Sequence, residues 1–191
     1  MNEKEILKLL DEICSFEQLK YSNIPDIDLY MDQVTTFIDE KLSYLKRNEK
    51  EVALTKTMIN NYTKAGILMP PKKKKYSRQH MVLIILTYHL KQILSINDIQ
   101  TLFSPLVNMI NSEEDCDGNL ESIYDKFLDI EKKEIEDFKS TFDNMFTEEE
   151  KPADCNDNNI NKLIITVLSL VIKSTIQKRM AEKIIDEFLK E

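Results

Sequence analysis

Glycine is nearly missing from this chain. Its 191 residues hold two, Gly66 and Gly118. That scarcity argues against a β-rich fold and against a phosphate loop built from glycines. Cysteine is sparse as well: Cys14, Cys116 and Cys155 are odd in number, widely spaced and free of any C-x-x-C pattern. They read as reduced thiols of a cytoplasmic protein, and they exclude a disulfide framework or a zinc site. Long hydrophobic runs are lacking too. The most apolar stretch, Leu163 to Ile172, is interrupted by Thr166 and Ser169, whereas a membrane crossing needs about twenty residues. The N-terminal Met1-Asn2-Glu3-Lys4-Glu5 has no basic flank or apolar core of a signal peptide. The expectation is a soluble protein with no membrane partner.

The most informative absence is local. Between Val52 and Asn97 there are eight Lys or Arg and no Asp or Glu, in a chain whose net charge is -8. An acidic protein that keeps one segment free of negative charge presents it to an anion, and nucleic-acid phosphate is the first candidate. Four of the eight form the run Lys72-Lys73-Lys74-Lys75, directly after Pro70-Pro71. From Asn111 to Asp157 the charge inverts, with 17 acidic and 5 basic residues.

What is present favours helix. Apolar spacing predicts helices over about 3–20 and 29–47, then a polar linker at 47–51. Thr55 is an N-cap for a short helix over 55–65, with Met58, Ile59 and Tyr62 on its inner side and Gly66 at its end. Pro70-Pro71 forbids helix, so the chain runs extended through the lysines to Tyr76. Ser77 caps a helix to about Leu94, and Ser95, with Asp98 three residues on, caps another. Further helices are predicted over 119–146, with Leu120, Ile123, Tyr124, Phe127, Leu128, Ile135, Phe138 and Phe142 inside, and from about 157–159 to the end. The last is apolar nearly all round in its first half, as for a core helix or a subunit interface. The acidic cluster Glu113-Glu114-Asp115-Asp117 fails the calcium-loop pattern and reads as a solvated loop.

Taken together, residues 54–103 give a short capped helix, a proline-started basic segment and two more capped helices. This order resembles the winged helix-turn-helix domain of the MerR family of bacterial transcription regulators. Tyr62, Gly66-Ile67-Leu68, Pro70 and Tyr76 fall on that family's recognition-helix end and wing, and Leu94-Ser95-Ile96-Asn97-Asp98-Ile99 is similar to the segment after the wing. Asn60-Asn61 replaces the family's Arg-Tyr pair, Lys74 stands for the wing Arg, and the wing Gly is absent. The string Leu54-Thr55-Lys56-Thr57-Met58-Ile59-Asn60-Asn61-Tyr62-Thr63-Lys64 more closely resembles a bacterial domain-of-unknown-function family (1836), over most of residues 20–130.

These resemblances imply a mainly helical, all-α fold with a short β-wing: a winged helix-turn-helix with its N-terminal helix over 1–110, and an acidic helical region for dimerisation or effector sensing over 111–191. The expected function is a transcriptional regulator that binds double-stranded DNA. Thr55, Lys56, Thr57, Asn60, Asn61 and Lys64 form its recognition face, and Lys72, Lys73, Lys74, Lys75, Tyr76 and Arg78 its wing. A homodimer and an unidentified small-molecule effector are the further partners, and no cofactor is expected. The alternative is a protein-interaction module whose basic surface docks on an acidic partner, the chain's own segment 111–157 included. An enzyme has little support. His80 and His89 lack metal spacing and an acid on their helix, so His80 reads as a surface or phosphate-side residue beside the wing and His89 as a core one.

Overall fold

The computed structural model describes residues 3–48, 50–112, 116–147 and 159–190. The linker read at Glu148–Pro152, the helix start at Asp157, the acids Glu113–Asp115 and Cys155 lie outside the described residues. The rest is mainly helical. Its α-helices are α1 (Glu3–Cys14), α2 (Met31–Lys41), α3 (Lys56–Lys64), α4 (Arg78–Leu90), α5 (Ile96–Asn111), α6 (Cys116–Thr147) and α7 (Asn159–Phe188). Two short strands, β1 (Leu29–Tyr30) and β2 (Lys75–Tyr76), pair antiparallel, Leu29 with Tyr76 and Tyr30 with Lys75.

The chain forms two compact units that interleave along the sequence. One holds Leu19–Lys126 and Met180–Glu191, the other Met1–Gln18 and Phe127–Arg179. The expected boundary near residue 110 groups α1 with its sequence neighbours α2 to α5. In the structure α1 belongs instead with later residues, because its Leu10 is buried in a cluster with Phe142, joined by Ile6, Cys14 and Leu170. Burial pushes the Cys14 thiol up. Helix α1 also stops at Cys14, six residues short of its expected end. Past its end Gln18 Nε2 donates to the Leu128 carbonyl and to Glu131, each at 2.8 Å.

In the larger unit α2 packs against α3 and against both strands, and β2 packs on α4. Val34 and Ile38 of α2 and Ile59 of α3 are fully buried. Helix α4 goes further: every residue from His80 to Tyr88 is buried. Its apolar residues occupy all faces, so it is the central helix of this unit. Ser95 Oγ accepts from the Asp98 amide, and Ser95 N donates to Asp98 Oδ2, which closes the reciprocal cap predicted for α5.

Helix α7 is the opposite case. Ile160, Ile164, Ile165, Val167, Leu168, Val171 and Ile172 are all exposed. An 18-residue window within Ile160–Phe188 has a mean hydropathy of 1.4 and none of its residues is buried. By length and composition this helix could therefore cross a membrane, which the ten-residue apolar run does not suggest.

Candidate nucleic-acid interface

The geometry of α3 follows from its ends. At its start the Thr55 hydroxyl accepts from the Met58 amide at 3.2 Å, satisfying one of the first-turn donors. At its finish Gly66 adopts φ +74°, Gly66 N donates to the Thr63 carbonyl, and Ile67 N donates to Tyr62 at 2.9 Å. This is the paired 5→2 and 6→1 closure that a left-handed residue allows. Ile59 and Tyr62 point inward, and burial raises the Tyr62 phenol. Lys56, Thr57, Asn60, Asn61 and Lys64 are exposed, as is the capping Thr55. A short helix thus holds out hydroxyls, amides and ammonium groups, and no carboxylate.

The basic run forms a turn, where an extended course was expected. Lys73 and Lys74 have φ of 52° and 64°, Lys75 N donates to the Lys72 carbonyl at 3.0 Å, and Lys72 bridges Lys75. The reversal lets Lys75 and Tyr76 pair back onto β1. Lys72, Lys73 and Lys74 are exposed at the tip. Lys75 lies closer in, with Nζ 5.2 Å from the centre of the exposed Tyr30 ring.

Two expected wing residues are engaged elsewhere: Tyr76 is buried and Arg78 is half-buried against an acidic cleft. Tyr76 is only 2% exposed, with its ring edge-on to His80 at 5.5 Å, and burial raises its phenol. It is a core residue and offers no side chain to a ligand. Arg78 points at Asp26, 3.5 Å away, and stacks over Tyr21 at 5.1 Å. It lines a cleft of about 430 Å³ with Asp26, Asp28 and Glu121, whose negative charge is the wrong sign for a phosphate.

His80 also corrects its expected place. It is 5% exposed. Its Nδ1 accepts from the Ser77 amide at 3.1 Å, and its Nε2 is 3.2 Å from the Met69 carbonyl, to which it donates as the neutral Nε2–H tautomer. The ring therefore ties the N-terminus of α4 to the base of the hairpin. Burial holds the His80 pKa below the usual imidazole value, and burial alone pushes His89 down to about 4.

Of the eight cations in the acid-free segment, four are occupied. Lys56 pairs with Asp32, Lys75 rests on Tyr30 and Arg78 faces Asp26. Lys91 donates to the Ala53 carbonyl at 3.3 Å and lies over Tyr88. The ammonium groups of Lys64, Lys72, Lys73 and Lys74 hold no ion pair among the described residues. Asp32 and Tyr30 are two residues apart at the start of α2, so the hairpin base and the start of α3 flank the same helix end.

The long connection between α2 and α3 is tied down by contacts that its sequence did not reveal. Asp39 accepts from Lys46 at 2.7 Å and from the Ala53 amide at 3.0 Å, and the Lys46 bond first of all lowers its carboxyl pKa. Among the described residues no His, Cys, Asp and Glu group could hold a metal ion. Residues 19–127, more than half of the chain, match the family described as "Domain of unknown function (DUF1836)", a span that nearly coincides with the main segment of the larger unit. No curated protein and no solved structure matches the chain.

Proposed function

The chain belongs to the DUF1836 family, and from that premise we propose that it is a non-enzymatic transcriptional regulator that binds duplex DNA through a MerR-like winged helix-turn-helix. The observation that carries the reading is the cation set Lys64 and Lys72–Lys74, exposed and without an ion pair among the described residues, together with the exposed hydroxyls and amides of α3, a helix that bears no carboxylate of its own. Element order supports it: strand, helix, helix, then a hairpin whose second strand pairs with the first. In this scheme α3 enters the major groove, where Asn60 and Asn61 reach base edges and Thr57 and Lys64 reach phosphate. The hairpin tip lies on the flanking backbone.

Two copies would bind together, paired through the exposed apolar residues of α7. Monomeric proteins rarely leave more than about 300–600 Å² of contiguous apolar surface open. Lys173, well inside the apolar span, favours pairing over a membrane crossing, since a lysine near the bilayer centre costs roughly 3 kcal/mol. A cytoplasmic location and an effector held by the helices after residue 111 complete the proposal.

The test is selection of bound sites from randomised duplex, followed by Asn60→Ala and Asn61→Ala. The expected result is an enriched site whose discrimination falls by about 1–3 kcal/mol at one or two base pairs in each variant. A wild-type chain that retains no duplex while binding an acidic protein would replace this reading with an interaction module.

A further inference from the structure

Tight hairpins with two central left-handed residues are ordinarily built from Asn-Gly or Asp-Gly, because L side chains crowd the backbone in that region. Elsewhere this chain gives a left-handed position to glycine, at the end of α3, where Gly66 supplies φ +74°. Seven residues later it breaks the rule twice in succession, with Lys73 at φ 52° and Lys74 at φ 64°. The Lys75 to Lys72 hydrogen bond and the Lys72–Lys75 bridge identify a two-residue turn of the type I′ form. Charge adds to the backbone strain. Lys72 to Lys75 place four ammonium groups in succession, and among the described residues Lys75 alone of them rests on a partner, the Tyr30 ring. By both criteria this is a poor sequence for holding the turn and a good one for holding a polyanion.

We infer that Lys73 and Lys74 are a phosphate-contact pair, kept in left-handed backbone for their two ammonium groups at a cost to the stability of the free protein. The inference rests on the DNA-binding reading and sharpens it. The tip supplies affinity without sequence preference, while discrimination resides in α3. Affinity and stability then pull in opposite directions at these two residues. A phosphate backbone relieves the repulsion among the lysines and leaves the backbone conformation as it is.

The experiment compares wild type with Lys73→Asn/Lys74→Gly, which gives the turn its favoured residues, and with Lys73→Arg/Lys74→Arg, which keeps both charge and crowding. Thermal unfolding is measured, together with binding to a mixed-sequence duplex over a range of salt. The Asn-Gly variant is expected to melt about 5 °C higher. It is also expected to bind about tenfold more weakly near 0.1 M salt, with a log–log salt slope shallower by about two. The Arg-Arg variant is expected to keep the wild-type slope and melting temperature. An Asn-Gly variant that binds as wild type does overturns the contact, and one that melts no higher overturns the strain. Wild type that fails to bind at low salt takes away the DNA reading itself, and this inference with it.

Discussion

Helices α4 and α7 carry the same sequence pattern and meet opposite fates. Each has a stretch that is apolar on nearly every side, His80–Tyr88 in one and Ile160–Ile172 in the other. In α4 the whole stretch is buried, and Met81 to Ile84 have no measurable exposure. In α7 Ile164 is 52% exposed and Ile165 66%. A helix without a polar face needs cover on all sides. The first gets it from its own chain, so its pattern encodes a core. In the second, Leu170 packs with Leu10 and Phe142 while most of the other apolar side chains stay exposed among the described residues, and the proposed pairing of two copies would cover them.

That contrast can be broken by mutation. Ile84→Ala should cost about 3 kcal/mol in chemical unfolding, from lost transfer energy plus the cavity left behind. Ile165→Ala should stay within about 0.5 kcal/mol for the free chain and weaken self-association in sedimentation. Equal large losses at both sites would mean that α7 is already covered. The contrast is sharpened by acid, because both histidines lie in α4 and none in α7. Both are held neutral by burial, with His89 pushed down to about 4. The unfolded chain takes up these protons below the ordinary imidazole value of 6.5 and the folded chain does not. Stability is therefore full above that value, falls as pH drops toward about 4 and then levels, with His89 contributing up to about 3 kcal/mol. Unfolding midpoints between pH 7 and 4.5 check this. A flat profile in both wild type and His89→Gln would contradict it.

Much of the larger unit was legible because its signals are local. Thr55 and Gly66 fix the ends of α3, Ser95 and Asp98 fix the start of α5, and Pro70-Pro71 forbids helix before the lysines. The misses involve partners distant in sequence. Leu29-Tyr30 read as the beginning of a helix, since a two-residue strand shows no alternation and exists only by pairing with 75–76. Arg78 read as a wing cation because Asp26 reaches it from fifty-two residues away. His80 read as exposed by its polarity and its lysine neighbours, whereas its position at the head of an apolar helix places it inside. Among the candidate site residues, the exposed set on α3 followed from helical spacing. The left-handed backbone of Lys73 and Lys74 did not, because lysine has no preference that announces it.

The most direct test of the central claim is the salt dependence of binding to mixed duplex DNA, compared between wild type and a chain with Lys72, Lys73, Lys74 and Lys75 all changed to Ala. Each phosphate contact contributes about 0.9 to the slope of log affinity against log salt. With three of the four lysines holding no partner among the described residues, the account predicts steep wild-type dependence and a slope shallower by roughly three in the variant. Identical slopes in two folded proteins, or no wild-type binding at low salt, would contradict it.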